Sequence, residues 1–141
     1  MKSIILGTLL YIVISFAAQS LSHFAINAKH YASISFMRTE PIFALGFITM
    51  IMQGIILTYL FEHFSKKKYT QRNGLVYGLL MAAFFVSYPA LVEPAKYQVP
   101  SISSWIMVEG TVGLLQFSLF GIFLSLLFRK LQNTVSINSK F

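Results

Sequence analysis

The sequence predicts an all-α fold: an antiparallel bundle of four helices, each crossing a membrane. Composition is the first reason. The 141 residues are 56% hydrophobic and 11% charged, with a mean hydropathy of +0.70, whereas soluble domains devote about a quarter of their residues to charge. The second reason is four apolar runs, residues 4–22, 42–61, 75–92 and 104–128. Each has about the length that, at a rise of ~1.5 Å per residue, crosses a hydrocarbon core of about 30 Å. Lipid demands that backbone groups pair within the segment, so these runs read as helices. The third is that polar side chains inside the runs recur every three or four residues, which gathers them on one face of each helix.

In the first run Thr8, Tyr11, Ser15, Gln19 and Ser22 share a face. Met1-Lys2 and the following IILGTLLYIVISFAAQS also fit a signal peptide, with Ala18-x-Ser20 as a cleavage site. Cleavage would leave three spans with ends on opposite sides, so the segment is read as an uncleaved first span. In the second run Gly46, Thr49 and Gln53 form the stripe, and in the third Gly74, Gly78, Met81, Phe85 and Tyr88 do so. The fourth carries Glu109, Gly113, Gln116 and Phe120 on one face. The connections 22–41, 62–74 and 93–103 are polar and punctuated by Pro41, Gly74, Pro94 and Pro100. The residues from Lys130 onward read as a short polar tail.

Orientation follows from the basic residues. The side holding both termini and the second connection has eight: Lys2, Lys66, Lys67, Lys68, Arg72, Arg129, Lys130 and Lys140. The other side has three, Lys29, Arg38 and Lys96. The positive-inside rule therefore puts both termini in the cytoplasm. The net charge of +7 sits at the ends of apolar runs, which argues for topology and lipid headgroups as its partners and against nucleic acid. Lys66, Lys67, Lys68 and Arg72 are the residues placed to meet acidic headgroups.

Glu109 sets the functional question. An ionisable residue within a span costs about 2.5–3.5 kcal/mol on insertion scales and so calls for a reason. It either serves as a neutral acid, donating a hydrogen bond or carrying a proton, or pairs with Lys96, Arg38 or His23. Counted from Pro41 and Ser104, Gln53 and Gln116 share a level about 18 Å deep, where two amides can satisfy each other. Glu109 lies about 7–8 Å in, near the levels of Gln19, Tyr88 and His23. The simpler reading of the glutamines is glue between helices, at around 0.6 kcal/mol per hydrogen bond.

Other chemistries find little support. Cysteine is absent, which excludes disulfides, thiolate metal sites and thiol redox steps. His23 and His30 are weak metal candidates, about 10 Å apart along a continuous helix. No haem-binding histidine pair, phosphate loop, nucleophile elbow or HExxH pattern occurs, so no cofactor is expected.

The elements Glu40-Pro41, Gln53-Gly54, Glu93-Pro94-Ala95-Lys96 and Trp105 with Glu109 resemble a family of small bacterial four-helix membrane proteins of unknown function. The likeness covers residues 36–128 and, more weakly, 16–23. It implies fold and an inner-membrane location and brings no activity. Two functional expectations follow from the residues: a non-enzymatic accessory or structural subunit packing against itself or a larger membrane complex, or a small carrier or ligand-binding protein. The second would use a polar pocket of Glu109, Gln19, His23, Tyr88, Gln53 and Gln116.

Overall fold

The computed structural model describes residues 1–38 and 40–138, with side chains through residue 134; Lys140 of the charge count lies outside them. Among them six α-helices follow in order: α1 (Lys2–Leu21), α2 (Ala28–Ala32), α3 (Phe43–Ser65), α4 (Gln71–Ser87), α5 (Glu93–Lys96) and α6 (Ile102–Asn138). A π turn, Ser22–Ile26, joins α1 to α2, and another, Tyr88–Val92, joins α4 to α5. Among the described residues four helical stretches are long and apolar enough to cross a membrane: Lys2–Ile26, Phe43–Ser65, Gln71–Lys96 and Ile102–Thr134. From Lys130 the polar tail continues α6 as far as Asn138.

Each stripe of small and polar residues finds its partner on an antiparallel neighbour. Gly7 meets Thr58 and Thr8 meets Gly54, so α1 and α3 run in opposite senses. Gly74 meets Gly121, Gly78 meets Phe117, and Val86 meets Gly113, which sets α4 against α6. Gln19 and Ser15 both bond Gln116, and Gly7 faces Leu124, so α1 also lies on α6. The helices therefore stand in the spatial order α3–α1–α6–α4. The outer two, α3 and α4, touch near the end that holds both termini, where the Tyr77 hydroxyl donates to the Leu57 carbonyl at 2.6 Å and Phe61 and Phe64 pack on the Tyr77 ring.

The tightest seam is between α4 and α6. A Cβ on Gly74 would press into the Gly121 carbonyl, one on Gly121 into the Gly74 carbonyl, and one on Gly78 into the Phe117 carbonyl. Backbones this close forgo side-chain volume for main-chain dispersion contacts, the usual basis of helix pairing where lipid is as apolar as leucine. Around the seam the core is aromatic: Tyr11, Phe61, Tyr77 and Phe120 are all at most 1% exposed, and Tyr11 meets Phe120 edge-on at 4.9 Å.

The two ends differ. At the terminal end the chain leaves α3 through Lys66 and Lys67, both left-handed with φ of 48° and 63°, a conformation costing about 1 kcal/mol or more for each residue with a Cβ. The opposite, capped end is closed by the first π turn and α2. There Tyr31, Ile34 and Trp105 form a second small core with Val99 and Val108. The connection read from sequence as a polar loop over residues 22–41 is thus helical as far as Ala32 apart from a bend at Asn27.

The second π turn has a local cause. Pro89 has no N–H to give the Phe85 carbonyl four residues back. The Glu93 N–H bonds Tyr88 O, five residues back, and in that register the Pro89 carbonyl would await Pro94, which also lacks an N–H. The Trp105 indole supplies the missing donor at 2.8 Å and so pins α6 to the turn.

Candidate functional site: a polar cavity under the cap

Helix α1 sits between α3 and α6, and its polar face serves both. The Tyr11 hydroxyl donates to Gln53 Oε1 at 2.6 Å. Gln116 donates through Nε2 to Ser15 Oγ at 2.9 Å and accepts at Oε1 from Gln19 Nε2 at 2.8 Å. The pairing of Gln53 with Gln116 expected from their shared depth does not form, because α1 intervenes and bonds each amide separately. The two amides nonetheless face one space. A cavity of about 170 Å³ is lined by Tyr11, Gln19, Gln53, Glu109 and Gln116 on its polar walls and by Phe85, Val86, Pro89, Gly113 and Phe117 elsewhere. That volume holds about five waters.

Glu109, one turn above Gly113, takes its hydrogen bond from a residue the sequence reading left in the loop. The Tyr31 hydroxyl donates to Glu109 Oε1 at 2.9 Å and lies 3.4 Å from Ser22 Oγ, which also accepts from Asn27 Nδ2 at 3.0 Å. Burial pushes the Tyr31 hydroxyl above its ordinary pKa; the bond to Ser22 opposes the shift and the Glu109 charge adds to it. The hydroxyl therefore stays a proton donor across the neutral range. The second oxygen of Glu109 and the amide nitrogen of Gln53 have no partner among the described residues.

Two predicted pocket residues stand elsewhere. Tyr88 is 52% exposed, and its hydroxyl takes the Lys96 ammonium at 3.2 Å. On an α-helix Phe85, Val86 and Pro89 face the cavity together, whereas Tyr88, three residues after Phe85, lies about 60° round on the other side and so points away from it. Lys96, one of the foreseen counter-ions of Glu109, is thereby engaged with Tyr88. His23 also misses the cavity. Its Nδ1 donates to the Gln19 carbonyl at 3.1 Å, and its ring stacks on Tyr31 at 3.7 Å and 12°, so it buttresses the tyrosine that holds Glu109.

The histidines are kept apart by the same tyrosine. Tyr31 lies between His23 and His30, 5.2 Å from the latter's ring, while His30 Nδ1 stands 3.2 Å from Ser104 Oγ. Among the described residues no group of three or more His, Asp or Glu side chains is placed to hold a metal. At the terminal end Lys66, Lys67, Lys68 and Arg72 are all exposed, far from the cavity. In the second helix Thr49 is exposed and bonds its own Leu45 carbonyl, and Gly46 faces open space, so Gln53 is the one member of that stripe in the site.

No protein-family model, curated protein or solved structure matches the chain. The site's chemistry rests on its own geometry: a hydrogen-bonded acid with one free oxygen, three carboxamides and a phenol around a space sized for a small polar group. Tyr11, Ser15, Ser22 and Tyr31 are the members the sequence reading did not place there, although Tyr11, Ser15 and Ser22 stood in its first stripe.

Proposed function

We propose that the chain is a non-enzymatic multi-pass protein of a bacterial inner membrane, with both termini cytoplasmic, that binds a small cationic, hydrogen-bonding group in this cavity. The eight-to-three distribution of basic residues supports the orientation. One observation carries the binding reading. The free Glu109 oxygen and the amides of Gln19, Gln53 and Gln116 converge on a single cavity of about 170 Å³, where low dielectric strengthens attraction for a cation. Gln53 of α3 and Phe85, Val86 and Pro89 of α4 wall the cavity, and the way in is between these two helices, above their contact at Tyr77. An acid held inside a span is retained for such a role more readily than for packing.

Trp105, the only tryptophan, is bonded to the cavity residue Pro89 and reports on the site through its fluorescence. Purified protein in detergent is melted with ethylammonium, methylguanidinium or tetramethylammonium, against sodium. A cation at a hundred times its Kd stabilises by about 2.7 kcal/mol, which raises Tm by several degrees. Glu109→Gln, equal in shape and without charge, is expected to abolish that rise. A series in which no organic cation exceeds sodium, or a Glu109→Gln protein that responds like the wild type, overturns the reading.

A second reading, an accessory subunit that packs against itself or a larger complex, is favoured by the first two turns of α3. There every side chain from Phe43 to Thr49 is exposed. It expects partner chains to co-purify in mild detergent, and a strictly monomeric, solitary protein counts against it.

A further inference from the structure

Across Gln19 from the polar cavity, α1 and α3 diverge toward the capped end. Between them runs an apolar groove of about 280 Å³, bounded by Phe16, Phe24, Phe43, Phe47 and Met50. Phe16 and Phe47 stack at 5.5 Å and close its lower part. At Gly46 a Cβ would have no atom within 4 Å, so the middle of the groove is empty. From Phe43 to Met50 the groove extends about 10 Å along α3.

At its upper end the groove does not stop. His23, Phe24 and Pro41 also wall a neighbouring depression of about 350 Å³, and Arg38 stands on the rim of that depression. The sequence of surfaces is therefore an apolar trough, a narrow shared wall, then a guanidinium at the level of the α2–α3 connection. Among the described residues no acid lines either space; Glu40, the nearest acid in sequence, is exposed two positions from Arg38. That order of polarity and charge is the order found in an anionic phospholipid. A guanidinium grips phosphate oxygens two at a time, and an acyl chain fills an apolar trough of this shape without needing a hydrogen bond.

The geometry points to a binding site for one anionic phospholipid, with an acyl chain along the α1–α3 groove and its phosphate on Arg38. The site goes beyond the cation cavity: it lies on the other face of α1, takes the opposite charge, and leaves Glu109 untouched. It is also separate from the lysines of the terminal end, which meet headgroups of the opposite leaflet.

Native mass spectrometry of the delipidated full-length protein tests this, with phosphatidylglycerol or phosphatidylcholine of identical acyl chains added at equal concentration. One basic residue at the membrane surface favours the anionic lipid by about fivefold. Retention of one phosphatidylglycerol at about that preference is the expected result. Arg38→Gln is expected to remove the preference while both lipids still bind. Gly46→Leu, whose side chain enters the empty middle of the groove, is expected to lower retention of both lipids at an unchanged Tm. Equal retention of the two lipids by the wild type overturns the site. So does retention unchanged in both variants, as a non-specific belt of lipid would give, or a dimer that excludes lipid from the groove.

Discussion

Valine in place of Gly121 is expected to separate α4 from α6 and to lower Tm by roughly 10 °C or more. Adding methyl groups to a packed interior costs about 1–3 kcal/mol when neighbouring side chains can turn aside. Here they cannot, because the atoms a Cβ on Gly121 would meet are the Gly74 carbonyl and the Gly78 backbone. Relief requires the helices themselves to part, and with them the contacts of Val86 on Gly113 and the wall of the cavity. A loss of about 3 kcal/mol corresponds to the shift given, on the scale of a domain of this size. Gly46→Val is the matched control, since a Cβ there has no atom within 4 Å. Melting curves from Trp105 fluorescence in detergent distinguish the two. Equal Tm values for Gly121→Val and the wild type would show that the seam is looser than its geometry.

Which parts of this architecture were legible in the sequence follows from what generates each. The four long helices rest on hydropathy and length, and all four stand where the apolar runs put them. The first stripe was equally legible: Thr8, Tyr11, Ser15 and Ser22 are each at most 8% exposed, because α1 keeps the 3.6-residue period through Leu21 and Ser22 follows it directly. Glu109, Gln19, Gln53 and Gln116 were brought together for the same reason.

The misses fall where spacing along one helix does not decide what covers a face. Tyr88 was misplaced because, three residues after Phe85, it stands at the edge of that face away from Pro89, and spacing alone does not say which edge a neighbouring helix covers. Tyr31 could not be assigned to Glu109 from spacing, since the two are 78 positions apart. Their meeting depends on α2 folding back over α6, which no local pattern encodes. The expected pair Gln53–Gln116 failed for a related reason. Equal depth fixes height in the bundle but not which helix stands between.

Because the chain has no cysteine, a single introduced thiol reads the surroundings of one position without background. Gln53→Cys places it in the cavity, where methanethiosulfonate ethylammonium, small and cationic, can reach it through the α3–α4 cleft. Met52→Cys, the adjacent position, places it on the outer face of α3, where the native side chain is 59% exposed and, in a bundle embedded in lipid, meets acyl chains. Only the thiolate reacts, and apolar surroundings suppress it by about two pKa units or more. In membranes the cavity thiol is therefore expected to be modified on the order of a hundredfold faster than its neighbour, and added ethylammonium is expected to slow it. Equal rates at the two positions, or an unreactive Gln53→Cys beside a reactive Met52→Cys, would contradict a bundle whose polar faces enclose a solvated pocket within the membrane.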